Sequence, residues 1–299
     1  MNKVNVSIDP FWDVNIDIPG VNVVRWDLKG EAPGPLDIVV TGHWVPKDGA
    51  ERVAAAGAKL LQIGSIGYDS VNPDLPEGLQ VANAATVHET ATSEMVLTML
   101  LAGLRNIPQM VADNKEHKWN VFYDEGLADK KVMLIGVGGV GKEIIKRLTP
   151  FSVDLTLVAS RERDEDFGHV YSLEQIDDLL PHQDVVIIVI PATETTKGLV
   201  NKEFLAKMKD GATFLNAGRG TLAVTDDLVA EGGRLKLLID VVDPEPLAQD
   251  SPLWDVAQLI TSHNGGNTRA MHPRMEALIE RQVKHLLAGE PFENVVLGK

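Results

Sequence analysis

Cysteine is absent from this chain of 299 residues, and only 5% of the residues are aromatic. Without thiols there is no disulfide framework, no zinc finger, no thioredoxin-like motif and no cysteine nucleophile. The chain is nevertheless long enough for about two domains that bury cores of their own. We therefore predict an ordinary two-domain protein with no metal site.

Basic residues are scarce. The sequence has 28 Lys and Arg against 43 Asp and Glu, which gives a formal net charge of -15. An acidic surface repels phosphate backbones and anionic lipid headgroups, and no block of basic residues offsets this charge. Neither nucleic acid nor a membrane surface is therefore expected as a partner.

Long hydrophobic runs are missing too. The most apolar stretches are Val185–Ile190 and Met95–Leu104, and both are far shorter than the ~20 residues of a membrane span. The N-terminus has no apolar segment of the signal-peptide type. These features predict a cytoplasmic protein.

What the sequence does contain is a regular alternation of short apolar runs with segments of helical period, which is typical of an α/β protein with parallel sheets. Several runs are apolar at consecutive positions, as strands covered on both faces must be. The predicted strands are Val4–Ile8, Val21–Trp26, Asp37–Thr41, Leu60–Ile63, Lys131–Ile135, Leu155–Val158, Val185–Ile190, Thr213–Leu215, Leu237–Val242 and Leu259–Thr261. Two long helices, one ending toward Pro108 and one at about 270–287, flank a continuous strand-helix series.

A glycine-rich turn follows the predicted strand Lys131–Ile135 and precedes a helical segment. In such a turn Gly136 permits the tight bend, Gly138 lets a pyrophosphate approach the backbone, and Gly141 lets the helix lie close to the strand. The anion would sit on the free amides at the helix N-terminus. The alternative is a purely structural turn. The predicted phosphate-binding residues are Gly136, Gly138, Gly139, Val140 and Gly141.

The next predicted strand ends at Ser160 and Arg161, where an NAD-binding site usually has an acidic residue for the ribose 2′-hydroxyl. A carboxylate there would repel a 2′-phosphate, whereas a hydroxyl and a guanidinium can bind one. The pattern favours NADP, with NAD still possible. The alternative is that Arg161 and Arg163 pair with the acidic residues of 162–166 on a solvated loop.

Three later segments each place one chemically useful side chain just after an apolar run: Arg219, Glu245 and His263. Arg219 can orient the carboxylate of an α-keto acid and polarise its carbonyl, and His263 can protonate the developing alkoxide. Glu245 can hydrogen-bond the imidazole and favour its protonated form. These residues are the predicted catalytic set.

Together these segments resemble the D-2-hydroxyacid dehydrogenase family, which includes phosphoglycerate, glyoxylate/hydroxypyruvate and D-lactate dehydrogenases. The matching signatures are Gly136–Gly141, Asn216–Gly220, Asp240–Pro246 and His263. The resemblance covers nearly the whole chain. It implies two doubly wound parallel-sheet domains, with a Rossmann-type cofactor domain (95–269) inserted in a flavodoxin-like substrate domain (1–94 and 270–299).

The resemblance also implies further site residues. Backbone amides at Ile66 and Gly67 would hold the substrate carboxylate together with Arg219 and His263. Apart from the resemblance, His43 and Trp44 follow the predicted strand Asp37–Thr41, so that Trp44 could face the cleft and influence substrate choice; the alternative is an aromatic residue packed at a loop. A homodimer formed through the inserted domain is implied too. The residues implied to lie along the cofactor are Ile190, Pro191, Thr196, Ala217, Gly218, Asp240, His263 and Gly265.

The chain departs from the family pattern in three places. The acid after the second strand is missing, Ser262 stands where proline commonly precedes the histidine, and the sequence ends without a regulatory extension. The last point argues against a serine-regulated phosphoglycerate dehydrogenase. Ser160-Arg161 is similar to the NADPH-preferring glyoxylate/hydroxypyruvate reductase branch.

The resulting hypothesis is an NADPH-preferring reductase that converts a small 2-keto acid to the D-2-hydroxy acid, with His263 as proton donor. The alternative is a non-enzymatic NAD(P)-sensing protein of the corepressor type. The complete set of Arg219, Glu245 and His263 argues against a sensor, because a sensor needs no proton donor.

Overall fold

The computed structural model describes residues 3–298. The chain forms two compact units. We name them for their order along the sequence: the outer unit comprises Met1–His88 and Thr268–Lys299, and the inner unit comprises Glu89–Asn267. The assignment of substrate binding to the outer unit and of dinucleotide binding to the inner unit is still a prediction at this point.

The outer unit is built on a six-stranded sheet with the order β14-β5-β4-β3-β1-β2. Strands β1 to β5 are parallel and follow the flavodoxin-like order 2-1-3-4-5, while β14 pairs with β5 in antiparallel fashion. The strands are β1 (Val4–Ile8), β2 (Val21–Arg25), β3 (Ile38–Val40), β4 (Leu60–Gln62), β5 (Gln80–Ala82) and β14 (Val295–Leu297), and the helices are α1 (Gly49–Ala55) and α9 (Met271–Ala288).

The two faces of this sheet form separate hydrophobic cores because successive side chains of a strand point in opposite directions. Ile38 and Leu60 pack in one cluster with Ile279 of α9, whereas Val39 packs in the other with Val53 of α1. This arrangement explains why the strands are apolar at consecutive positions.

The inner unit is built on an eight-stranded sheet with the order β13-β12-β11-β10-β6-β7-β9-β8. The parallel part follows the Rossmann order, with the switch point between β6 and β10. The strands are β6 (Lys131–Ile135), β7 (Asp154–Ala159), β8 (Arg163–Glu165), β9 (Gly168–Ser172), β10 (Val185–Ile188), β11 (Thr213–Asn216), β12 (Lys236–Ile239) and β13 (Leu259–Ile260). The helices are α2 (Glu89–Leu104), α3 (Ile107–Lys115), α4 (Gly139–Leu148), α5 (Ile176–Leu179), α6 (Lys202–Ala206), α7 (Thr225–Ala230) and α8 (Leu253–Val256).

The predicted α/β fold is confirmed, with two strands in each sheet that were not predicted: β5 and β14 in the outer unit, and β8 and β9 in the inner unit. Both β14 and β8 are antiparallel edge strands, which the sequence pattern did not indicate. The first long helix begins at Glu89, and a separate helix α3 follows with Pro108 in its first turn, where proline costs no hydrogen bond.

No single helix within residues 3–298 has the length and apolar character needed to cross a membrane. Helices α2 and α3, bent by 67° at the break between them, meet that test together by length and composition alone.

Candidate active site

The glycine turn after β6 has the geometry of an anion-binding helix start. Helix α4 begins at Gly139, and its N-cap residue Gly138 is extended and provides no capping side chain. A Cβ at Gly141 would lie 1.9 Å from the carbonyl oxygen of Gly136, so no side chain fits there, whereas a Cβ at Gly138 would meet nothing within 4 Å. The open space beside Gly138 therefore fits the pyrophosphate of a dinucleotide, while the Glu89 side chain lies against Gly139.

Beyond β7, Ser160 and Arg161 are exposed at the strand end. Arg163 pairs with Glu165, with 2.7 Å between Nε and Oε1. Within residues 3–298 the Arg161 side chain takes part in no hydrogen bond or ion pair. The expected pairing of both arginines with neighbouring acids is thus present for Arg163 alone.

The backbone after β10 runs beside the turn after β11. The amide of Ala217 donates to the carbonyl of Ile188 at 3.1 Å, which places Ala217 and Gly218 next to the segment that contains Ile190 and Pro191. The buried Thr196 hydroxyl donates to the carbonyl of Pro191 at 2.9 Å and accepts from the amide of Thr193 at 2.8 Å. Thr196 therefore holds the loop that follows Pro191.

Arg219 lies in the turn after β11, and the fully buried Asn216 holds this turn. The Asn216 amide group donates to the carbonyl of Arg219 at 3.0 Å, and its Oδ1 accepts from the amide of Gly218 at 3.0 Å. The half-buried guanidinium donates to the carbonyl of Gly218 at 2.8 Å. Two bonds to one buried amide side chain thus fix the backbone that presents Arg219.

His263 and Glu245 form a direct pair. Nδ1 of His263 lies 2.9 Å from Oε2 of Glu245, and the amide of Val242 donates to the other carboxylate oxygen at 3.2 Å. An acidic partner at Nδ1 assigns a proton to that nitrogen and leaves Nε2 to act on a substrate. The side chains of His263 and Glu245 are 51% and 39% exposed, so both are accessible from solvent.

The loop that carries His263 is held by the buried carboxylate of Asp240. This carboxylate accepts from the Thr261 hydroxyl at 2.6 Å and from the amides of Asn264 and Gly265 at 2.9 and 3.1 Å. The loop has an unusual backbone, with φ of 29° at Ser262 and 54° at His263. Proline cannot adopt φ of 29°, so the departure of Ser262 from the family pattern goes with a different local backbone.

A pocket of about 390 Å³ lies beside these groups in the inner unit. It combines the Glu245 and His263 side chains with an apolar wall. Trp254, which is partly exposed, belongs to this wall. The lining residues are Asp240, Val242, Glu245, Pro246, Leu247, Trp254, Ile260, Ser262 and His263.

In the outer unit, the loop 64–67 presents two backbone amides. Those of Ile66 and Gly67 donate no hydrogen bond within the described part of the chain. Three side chains brace the loop: Ser65 Oγ donates to the Gly67 carbonyl at 2.6 Å, Asn83 donates to the Ile66 carbonyl at 2.7 Å, and Nε2 of His88 lies 2.8 Å from the Gly64 carbonyl oxygen. Asn83 and His88 were not predicted as site residues, because no local motif marks them.

An aromatic cluster surrounds His43 in the same unit. Its ring centroid lies 4.7 Å from that of Phe11 and 5.5 Å from that of His88. The neighbouring Trp44 is 78% exposed and therefore offers a free apolar surface. No group of three or more His, Asp or Glu side chains suited to a metal ion occurs within residues 3–298.

The Rossmann order and the uncapped glycine turn define a dinucleotide-binding α/β protein. The model of the D-isomer specific 2-hydroxyacid dehydrogenase, NAD binding domain, matches residues 97–265, more than half of the chain. The protein belongs to the D-isomer specific 2-hydroxyacid dehydrogenase family, and the resemblance predicted from the sequence is confirmed.

Similar proteins include two kinds of enzyme. The D-3-phosphoglycerate dehydrogenase of Archaeoglobus fulgidus is 31% identical over 91% of this chain, which spans only 53% of that relative. The glyoxylate reductase/hydroxypyruvate reductase of Homo sapiens is 30% identical over 80% of this chain and 77% of its own. The structure of the NADPH-dependent glyoxylate/hydroxypyruvate reductase from Sinorhizobium meliloti, in complex with NADP and sulfate, matches with a TM-score of 0.82 at 23% identity over 99% of this chain and 98% of that one.

Proposed function

We propose that this protein is an NAD(P)-dependent reductase that converts a small 2-keto acid to the D-2-hydroxy acid. The observation that carries the proposal is the pair of His263 and Glu245, 2.9 Å apart, in the same unit as the glycine turn and Arg219. A non-enzymatic nucleotide sensor would not need an accessible imidazole held by a carboxylate. We therefore favour the enzyme.

The catalytic roles follow from the hydrogen-bonding capacity of each group. A bound nicotinamide nucleotide supplies the hydride that reduces the carbonyl carbon. His263 holds a proton at Nε2 and gives it to the carbonyl oxygen, which becomes the hydroxyl, while Glu245 accepts from Nδ1 and stabilises the charged imidazolium. Arg219 orients the substrate carboxylate and polarises the carbonyl.

The cofactor would be held by the first amides of α4 at its pyrophosphate and by the loops that contain Pro191, Ala217 and Asp240. We propose that NADPH is preferred to NADH. Arg161 and Ser160 support this preference, because they are exposed at the end of β7, where an NAD-binding site usually has an acidic residue. The NADP complex of the Sinorhizobium meliloti reductase is consistent with this preference.

The outer unit would supply the substrate-binding groups. The amides of Ile66 and Gly67 suit a carboxylate, and the exposed Trp44 would contact the remainder of the substrate. We propose a small keto acid such as glyoxylate or hydroxypyruvate. The 30% identity to the glyoxylate reductase/hydroxypyruvate reductase of Homo sapiens, over 77% of that protein, supports this choice.

Replacement of the proton donor tests this function. We expect His263→Ala and Arg219→Ala to lower kcat for glyoxylate and hydroxypyruvate by about 10²-fold to 10⁴-fold, with NADPH affinity changed little. His182→Ala is the matched control, because His182 is an exposed histidine of the same unit. If both active-site variants reduced the keto acids at the wild-type rate, the mechanism would be wrong.

The partner we propose is a second copy of the chain. Trp119 and Tyr123, which follow α3 in an irregular segment, are 94% and 99% exposed, and aromatic residues of this kind are typical of interface centres. Light scattering should give twice the monomer mass for the wild type and the monomer mass for Trp119→Ser/Tyr123→Ser. A monomeric wild type would contradict the proposal.

A further inference from the structure

Two acidic residues closely follow Arg161, the residue proposed to bind the 2′-phosphate, in the chain. Glu162 immediately follows Arg161 in the chain, and Asp164 lies in β8. Left alone, these two carboxylates would compete for the guanidinium of Arg161 and repel a phosphate bound there. The site therefore requires something that offsets their charge.

The opposite strand of the hairpin supplies that group. His169 of β9 is the register partner of Asp164. Its Nδ1 lies 2.8 Å from Oδ1 of Asp164, and its Nε2 lies 3.1 Å from Oε1 of Glu162. The imidazole packs edge-on against the ring of Tyr171, with 4.6 Å between the centroids. Each ring nitrogen is thus directed at one carboxylate, and the ring is fixed by its neighbour.

This contact favours the charged form of the imidazole. The hydrogen bond to Asp164 raises the pKa of His169, burial lowers it by a smaller amount, and the charges of Asp164 and Glu162 raise it further. The groups that face the ring are Glu162, Asp164 and Tyr171, and none of them carries a positive charge.

We propose that His169 is a specificity-determining residue, which holds the carboxylates of Glu162 and Asp164 and thereby leaves Arg161 available to the 2′-phosphate of NADPH. The proposal rests on the proposed function, in which Ser160 and Arg161 bind that phosphate. His169 acts through its neighbours and needs no contact with the cofactor.

Loss of the imidazole should affect the two nucleotides differently. NADPH carries the phosphate that Glu162 and Asp164 would repel, whereas NADH has only a hydroxyl there. Because these groups are exposed and screened by salt, we expect His169→Gln to weaken NADPH binding about threefold to tenfold and to leave NADH binding unchanged.

The same reasoning predicts a pH dependence. His169 loses its charge as the pH rises through its raised pKa, so the preference for NADPH over NADH should fall at higher pH. Because the 2′-phosphate has a pKa of about 6, the preference for NADPH over NADH is compared between about pH 7 and about pH 9. In His169→Gln the preference should be lower at neutral pH and nearly flat across this range.

The experiment measures the Kd of NADPH and of NADH by their fluorescence change on binding, for the wild type, His169→Gln and the exposed control His182→Gln. A further pair carries Glu162→Gln/Asp164→Asn, with and without His169→Gln. We expect the histidine substitution to reduce NADPH affinity in the wild-type background and to have no effect once the two carboxylates are removed. Unchanged NADH affinity and thermal midpoint show that the variants are folded.

The experiment distinguishes failure of the proposed NADPH preference from failure of the proposed role of His169. A wild type that binds NADH as tightly as NADPH would contradict the proposed cofactor preference itself. A wild type that prefers NADPH, with a preference unchanged by His169→Gln or reduced equally in the background without carboxylates, would overturn the role of His169 alone.

Discussion

The two amide loops of this protein, 136–141 in the inner unit and 64–67 in the outer unit, present backbone N–H groups in different ways. In the inner unit the first amides of α4 are left without a capping side chain, because the helix begins at Gly139 and its N-cap residue is Gly138. In the outer unit the amides of Ile66 and Gly67 are presented by a loop that Asn83 and His88 brace. The first loop presents its amides because its glycines have no side chain that could cap them. The second loop presents its amides because side chains distant in sequence hold its backbone in place.

The largest effect is expected from Gly141→Ala. The added Cβ would lie 1.9 Å from the Gly136 carbonyl oxygen, so the strand and the helix would have to separate. We expect a loss of about 3 kcal/mol or more in the free energy of unfolding, at the upper end of overpacking effects, together with loss of nucleotide binding. Urea unfolding followed by circular dichroism measures the first, and fluorescence titration measures the second.

Gly138→Ala is the matched control for that substitution. Its Cβ would meet nothing within 4 Å and its backbone is extended, so the unfolding free energy should change by less than about 1 kcal/mol. The methyl group would instead occupy the space proposed for the pyrophosphate, and nucleotide affinity should fall at least about tenfold. If Gly138→Ala bound NADPH normally, the pyrophosphate would not lie over this turn.

A smaller and more selective effect is expected from Asn83→Ala in the outer unit. The substitution removes the donor to the Ile66 carbonyl and the acceptor of the Ala85 amide, and the loss of the hydrogen bond that reaches the loop costs about 1 kcal/mol. The KM for the keto acid should rise about fivefold while the Kd of NADPH stays constant. Asn72→Ala, which removes an exposed turn contact to Asp74, should change neither quantity. A change in NADPH affinity would argue against separate roles for the two loops.

The elements with strong local patterns could be predicted from sequence. The apolar runs at β6 and β10 and the glycine spacing before α4 needed no long-range information. Strand β8 could not be found in this way, because Arg163–Glu165 is charged at every position and is a strand only through its pairing with β9. Strand β14 likewise depends on pairing with β5, more than 200 residues earlier in the chain.

The same distinction applies to the candidate site. Arg219, Glu245 and His263 stand in recognisable motifs, so they could be identified as candidate catalytic residues from the sequence. The residues that support the site could not be identified in this way. Asn83 and His88 hydrogen-bond to the 64–67 loop across 17 and 24 residues, and His169 stands in no recognisable motif. Hydrogen bonds between residues far apart in sequence leave no local signal.

One residue, Asp240, makes several of the hydrogen bonds that hold the His263 loop. Its carboxylate binds three donors that lie 21, 24 and 25 positions further along the chain, and they flank the two left-handed residues Ser262 and His263. Such backbone conformations persist only when their surroundings hold them. The orientation of the catalytic imidazole therefore depends in part on a buried carboxylate at the end of the neighbouring strand, which hydrogen-bonds to the loop on both sides of His263.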